Sequence, residues 1–386
     1  MTKVRSAIRY AGVAVLAAGM AVTATVAQAA DTIKVGILHS LSGTMAISET
    51  TLKDTMLMLI DEQNKKGGLL GKKLEAVVVD PASNWPLFAE KARELIQKNK
   101  VDVVFGCWTS VSRKSVLPVF EELNSMLFYP VQYEGEESSR NVFYTGAAPN
   151  QQAIPAVEYL MSEDGAFGHS DWQTIVADVK KFASAGKKTA VVSTINGDAN
   201  VPFYKELGNQ GIKAEDIPVV AFSVGEEELS GIDTGPLVGH LAAWNYFMSA
   251  ESKENADFIK KWKTFIKNPK RVTNDPMEAH YIGFNMWVQA VEQAGTTSVD
   301  AVRQAMYGQK VTSLTGSVAE MLTNHHLTKP VLIGEIQKDG QFETVWKTEG
   351  PVAGDAWSDF IPESKKLTAD WTYPWVCGNC EKPKYN

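Results

Sequence analysis

Two clusters of polar and aromatic residues in the first third of the chain have the chemistry of a small-molecule binding site. Trp108, Thr109 and Ser110 follow the β-branched run VDVVF, and the segment YPVQYE begins at Tyr129 after the apolar run MLF. Hydroxyl and amide groups can orient a small polar ligand, and aromatic rings can enclose it. The same residues could instead be ordinary loop aromatics that cap the edge of a sheet.

The elements around these clusters are those of a parallel α/β sheet. Residues 101–105 and 126–129 are predicted strands, and the apolar spacing of residues 112–123 predicts a helix between them, with Pro118 as its one irregularity. Further strands are predicted at 32–38, 74–79 and 142–144, with helices at 48–64 and 86–99. Ligands of such sheets bind beyond the carboxyl ends of the strands, where both clusters lie.

A family resemblance rests on these same residues. GCWTSVSRKSVLPVFEE from Gly106 and FYPVQYEG from Phe128 are similar to the periplasmic substrate-binding subunit of urea ABC transporters. Other similar stretches, in order, are GILHSLSGTMAISE from Gly36, NDPMEAHYIGFNMW from Asn274 and NHHLTKPVLIGEI from Asn324. The wider group has the type I periplasmic-binding fold and includes amide sensors and branched-chain amino-acid binders.

The resemblance implies an α/β fold of two doubly wound parallel-sheet lobes joined by three crossings, which close on a ligand. Lobe one would comprise residues 30–148 and 249–323, lobe two residues 149–248 and 324–364, and residues 365–386 a C-terminal tail. The implied function is capture of urea or a short amide for a membrane ABC permease, with no catalysis. The chain is expected to be a monomer.

A site for urea needs acceptors around the amide nitrogens, donors at the oxygen and aromatic walls. The residues that carry this expectation are Trp85, Trp108, Thr109, Ser110, Tyr129, Gln132 and Tyr133 in lobe one, and Asp198 and Glu226 in lobe two.

The chain departs from the family pattern in lobe two. After Ser162-Glu163-Asp164-Gly165 the family would supply a strand, a helix and another strand, but this sequence has no apolar run between Leu160 and Asp171. Loss of this block would leave neighbouring strands without ladder partners. Either the lobe rearranges or it is unstable.

The rest of the sequence bounds the compartment and the partners. Lys3, Arg5 and Arg9, an apolar run and Ala27-Gln28-Ala29 predict a signal peptide at 1–29 and a periplasmic mature protein. A net charge of −7 without a basic block argues against nucleic acid.

Cofactor and metal chemistry have little support in the sequence. No strand tip carries G-x-G-x-x-G or a P-loop, so no nucleotide cofactor is expected. His325-His326 lacks accompanying acids or cysteines, so no metal is expected either. Cys107 is predicted to be a buried thiol, and Cys377 and Cys380 a disulfide or free thiols.

Several alternatives stay open. The ligand could be a branched-chain amino acid or another amide, and the chain could be a regulatory amide sensor, although the leader argues against that. An amide hydrolase using Asp198 and Glu226 is the enzymatic alternative, without a recognisable catalytic constellation. A shortened member that no longer binds is the last.

Overall fold

The chain from Thr32 onward builds two five-stranded sheets with helices packed against them. The computed structural model describes residues 31–162, 172–184 and 188–357. The predicted signal peptide, Cys377, Cys380 and the C-terminal tail therefore lie outside the described residues, as do residues 163–171.

Sheet one is entirely parallel, in the order β2-β1-β3-β4-β5. Its strands alternate with helices that cover the sheet, as the apolar patterning predicts. The elements in chain order are β1 (Ile33–Leu38), α1 (Ala46–Lys65), β2 (Leu74–Val79), α2 (Trp85–Arg93, continued by a wider turn over Glu94–Asn99), β3 (Val103–Gly106), α3 (Ser110–Glu122), β4 (Leu127–Tyr129) and β5 (Val142–Tyr144). Pro118 lies inside α3.

The chain then crosses to the second lobe, returns, and crosses again. The elements of the second lobe are α4 (Ala153–Ser162), α5 (Trp172–Ala183), β6 (Val191–Ser193), α6 (Asn200–Asn209), β7 (Val219–Ala221), α7 (Glu226–Leu229) and β8 (Leu241–Trp244). Back in lobe one follow α8 (Lys253–Ile266), α9 (Asp275–Ala294), α10 (Val299–Met306), β9 (Lys310–Thr312) and β10 (Val318–Glu320). After the third crossing come β11 (Thr328–Lys329), β12 (Leu332–Ile336), β13 (Phe342–Lys347) and β14 (Val352–Ala353).

Sheet two has the order β13-β12-β8-β7-β6. β6, β7 and β8 are parallel, whereas β12 is antiparallel to both β8 and β13. β12 and β13 form an antiparallel hairpin. The two-lobed α/β architecture with three crossings is thereby confirmed.

Strand β6 lies at the edge of sheet two. It pairs with β7, Val191 opposite Val219 and Ser193 opposite Ala221, and no second strand borders it among the described residues. The described residues therefore agree with the expectation that a strand next to the missing block has a ladder partner on one side only. The stretch where the block was expected, residues 163–171, lies outside the described chain.

Buried aromatic and aliphatic side chains fill each lobe. Cys107 is buried, which confirms its predicted position, and Trp244, Tyr246 and Phe247 are buried as well. No helix within the described ranges is both long and apolar enough to cross a lipid bilayer.

Candidate functional site

A cavity of about 310 Å³ lies at the carboxyl ends of four strands, β3 and β4 of sheet one and β6 and β7 of sheet two. This is the position that ligands take in open α/β sheets. Its described lining residues are Trp108, Thr109, Ser110, Gln132, Tyr133, Glu134, Pro149, Gln152, Ala153, Thr194, Asn196, Phe222 and Ser223. A larger crevice of about 780 Å³ runs beside β13, away from these strand ends.

Five of the predicted site residues line this cavity: Trp108, Thr109, Ser110, Gln132 and Tyr133. The start of α3 positions the first three. Thr109 is extended, and its hydroxyl oxygen accepts a hydrogen bond from the backbone N–H of Ser112 at 3.2 Å, which caps the helix. The Ser110 hydroxyl is thereby held at the first turn of α3, facing the cavity.

Two side-chain hydrogen bonds join the lobes across the cavity. The indole Nε1 of Trp108 donates to Oδ1 of Asn196 at 3.2 Å, and Nε2 of Gln132 donates to Oγ of Ser223. The other amide atom, Gln132 Oε1, is buried and has no hydrogen-bond partner. A buried unpaired acceptor is costly. A ligand N–H group at this point would satisfy it.

Glu134 is the one charged side chain among the described residues that line the cavity. Its carboxylate accepts hydrogen bonds from Ser110 Oγ and Lys114 Nζ. Partial burial acts to raise the pKa of Glu134, but the charge of Arg113 and the hydrogen bonds of Lys114 and Ser110 outweigh it, and the pKa falls to about 2. The cavity wall therefore carries an ionised carboxylate whose charge is balanced by Lys114 and Arg113.

Arg113, which lies behind this wall, is paired with carboxylates of the chain itself. Arg113 is fully buried and donates to Glu137 from Nε at 2.8 Å and from Nη2 at 3.2 Å. Its Nη2 also lies 3.5 Å from Glu134 Oε1. The guanidinium stacks 4.7 Å from the ring centroids of Tyr129 and Tyr133. This packing fixes the Tyr133 face of the cavity.

Tyr129 lies behind the cavity rather than on its wall. Its side chain is fully buried, and its hydroxyl donates to the backbone carbonyl of Trp108. The position supports Trp108 from below. A direct ligand contact by Tyr129 stays a prediction that this placement does not favour.

The remaining predicted residues are not brought to the cavity. Trp85 stacks on Phe88 with ring centroids 6.1 Å apart. Asp198 is exposed, and its backbone N–H donates to the Thr44 carbonyl at 3.3 Å. Glu226 is buried and accepts a hydrogen bond from the Met248 N–H at 2.6 Å. Burial raises the pKa of Glu226 to about 8.

At the ends of β6 and β7, the cavity is lined by residues other than those that the sequence analysis favoured. After β6 it favoured Asp198, but Thr194 and Asn196 reach the cavity; after β7 it favoured Glu226, but Phe222 and Ser223 do. Proximity to the strand end could have identified these residues, since the first residues after a strand lie at its carboxyl edge. Gln152 does not follow a strand. Its side-chain amide is held at the cavity because it donates to the carbonyls of Phe222 and Ala243.

The paired histidines serve the packing around Tyr133. His326 Nε2 lies 2.6 Å from the Tyr133 hydroxyl, and His325 Nδ1 lies 2.8 Å from the Val142 carbonyl oxygen. Burial lowers the pKa of His326 to about 4, so it is neutral. Within the described residues, no group of His, Cys, Asp and Glu has the arrangement of a metal site.

Most of the chain is similar to a known protein family. The sequence profile of the periplasmic binding protein domain matches residues 33–167 and 165–363. Over 340 residues the chain is 25% identical to a leucine-, isoleucine-, valine-, threonine- and alanine-binding protein of Pseudomonas aeruginosa, covering 78% of this chain and 90% of that protein. A 136-residue segment is 29% identical to a limonene hydroxylase of Geobacillus stearothermophilus, but the chain spans only 25% of that enzyme.

The fold is also that of solved solute-binding proteins. A solute-binding protein of an ABC transporter from R. palustris, solved in complex with 4-hydroxybenzoate, superposes with a TM-score of 0.73 at 19% identity. The alignment covers 83% of this chain and 98% of that one.

Proposed function

This chain belongs to the periplasmic binding protein family, and on that premise we propose that it captures an uncharged amide, of which urea is the simplest, and presents it to a membrane ABC importer. Family membership identifies a binding protein rather than an enzyme, as the sequence predicts. The ligand, the importer and the periplasmic location through a signal peptide at 1–29 are the parts we propose.

The observation that carries the choice of ligand is that the described cavity wall contains no cation. No Lys, Arg or His is among the described lining residues, and the one charged lining residue, Glu134, is ionised and already paired with Lys114 and Arg113. A ligand carboxylate would therefore find no cationic side chain on the described wall to pair with.

The N-terminus of α3, which could otherwise bind a ligand anion, already has the Glu134 carboxylate beside it. Ser110 begins α3, and the N-terminus of a helix favours negative charge. Glu134 lies against this terminus through its hydrogen bond with Ser110. An amide has no net charge, and its N–H groups can donate to Gln132 Oε1 and Glu134.

The branched-chain amino-acid relative and the 4-hydroxybenzoate complex suggest the competing ligand classes, both of which carry a carboxylate. The first is 25% identical to this chain in sequence, and the second is similar to it in fold. The lack of a cation among the described lining residues favours an uncharged ligand instead.

Calorimetric titration of the purified mature protein with urea, acetamide and leucine tests the proposal. We expect saturable binding of urea or acetamide at one site and no heat with leucine. Leucine binding would assign the amino-acid alternative. No heat with any ligand, in a sample that melts cooperatively, would mean that the shortened lobe no longer supports binding.

A further inference from the structure

The cavity is large for the smallest amides. Liquid water occupies about 30 Å³ per molecule. The volume of about 310 Å³ therefore corresponds to roughly ten water molecules. Urea has four non-hydrogen atoms and the volume of roughly three waters, so it would leave most of this space to solvent.

The lining that urea would leave uncovered is apolar and comes from both lobes. Trp108 and Tyr133 belong to lobe one, Phe222 to lobe two, and Pro149 and Ala153 to the first crossing and the start of α4. Contact between an apolar group and such a surface contributes about 25 cal/mol per Å² removed from water. A ligand that carries an apolar group gains this contribution, and urea does not.

The polar groups of the cavity wall are suited to hydrogen bonds with a ligand amide. Gln132 Oε1 is an unpaired buried acceptor, and Glu134 is an ionised acceptor beside Ser110. The two amide protons of a primary carboxamide suit these acceptors, whereas its carbonyl oxygen can accept from a hydroxyl group such as that of Thr194.

We propose that the ligand class of this cavity is the primary carboxamide with a compact apolar substituent of about benzene size. The inference rests on the proposed function, because it assumes that the cavity between the lobes is the ligand site. It narrows that function from amides in general to those that fill the apolar part of the cavity.

The test is a calorimetric comparison of benzamide with benzoate, acetamide and urea on the purified mature protein. Benzamide and benzoate have the same ring and differ in the charge of the head group. Benzamide and acetamide share the head group and differ in the apolar part. We expect benzamide to bind at least about tenfold more tightly than acetamide or urea, and benzoate to give no saturable heat.

The outcomes distinguish a failure of the apolar-substituent inference from a failure of amide binding itself. Urea or acetamide binding as tightly as benzamide would overturn this inference and leave the proposed function standing. Preferential benzoate binding, or no binding of any ligand to a cooperatively folded sample, would overturn the proposed function and this inference with it.

A cavity-filling variant adds an independent test. Ala153→Leu adds a larger side chain to the wall, so benzamide affinity should fall by about tenfold or more. Ala177→Leu makes the same change on an exposed face of α5 and serves as the control. Equal benzamide affinity in both variants would contradict the placement of the apolar group, provided both melt cooperatively.

Discussion

At the scale of single residues, Glu134 is the one charged side chain that the described cavity wall presents to a ligand. Arg113 and Lys114 pair with its carboxylate and keep it ionised. The sequence indicated the correct segment, YPVQYE, but not this residue. An acidic side chain on a loop is usually a solvated group, and only the geometry brings Glu134 against the start of α3.

Glu134→Gln tests this role directly. The variant keeps the size of the side chain and removes its charge, so a neutral amide should lose about fivefold in affinity, because hydrogen bonds to charged acceptors are the stronger ones. Leucine or benzoate binding should become detectable by calorimetry, because Lys114 and Arg113 lose this carboxylate and can attract that of the ligand. Glu343→Gln, at an exposed position on β13, is the matched control. If amide affinity is unchanged and neither leucine nor benzoate gives saturable heat, the role of Glu134 is contradicted.

At the scale of elements, strand ends were predictable and lobe-to-lobe contacts were not. β-Branched runs located β1 to β5, and these strands carry the cavity residues of lobe one. The β6–β7 pairing was not predicted, since it joins residues that are far apart along the chain. The role of α7 was also missed, because a run of three glutamates ordinarily indicates an exposed turn.

Helix α7 connects lobe two to lobe one through its glutamates. Glu228 Oε1 accepts a hydrogen bond from Ser48 Oγ of α1 at 2.6 Å. Glu227 lies 3.6 Å from Arg271. Burial raises the pKa of Glu226 to about 8 and that of Glu227 to about 7. The charge of Arg271 acts to lower the pKa of Glu227, whereas the charges of Glu228 and Asp54 act to raise it. The charge of Glu228 and Asp275 also acts to raise the pKa of Glu226.

These raised pKa values predict a loss of stability as pH increases. The folded protein holds protons on Glu226 and Glu227 that the unfolded chain has already released above its own carboxyl pKa, so stability is present at low pH and declines through the folded pKa. Between about pH 6.5 and pH 8 the loss from Glu226 is about 2 kcal/mol. Below that range the buried histidines, whose pKa values are lowered, act in the opposite direction.

Denaturant unfolding at several pH values measures this decline. Glu226→Gln should flatten the dependence above about pH 6.5, whereas Glu251→Gln, at an exposed position, should leave it unchanged. A parental protein whose stability rises from pH 6.5 to 8 would show that these glutamates are ionised in the folded state.

At the scale of the whole molecule, a buried ionic cluster ties the three crossings together. Lys329, on the third crossing, lies 3.7 Å from Asp275 and 3.4 Å from Glu278, and its Nζ is 3.4 Å from the Thr145 carbonyl of the first crossing. Asp275 Oδ2 accepts a hydrogen bond from the Asn245 N–H of the second crossing at 2.9 Å. This cluster could not be predicted from the sequence, since its members are widely separated along the chain.

Lys329→Met should destabilise the protein by about 3–5 kcal/mol, because two buried carboxylates lose their cation. Thermal unfolding measures the effect, with Lys347→Met at an exposed position of β13 as control. Equal melting temperatures of the two variants would mean that the cluster does not stabilise the hinge.

The most direct test of the central claim, that both lobes of this shortened chain form one site for an uncharged amide, is calorimetric melting at increasing amide concentration. Because the cavity is lined by Trp108 and Gln132 from one lobe and Asn196 and Ser223 from the other, we predict a single transition that moves to higher temperature as the amide is added. Two transitions of which one shifts, or a single transition that the amide does not move at any concentration, would contradict the account.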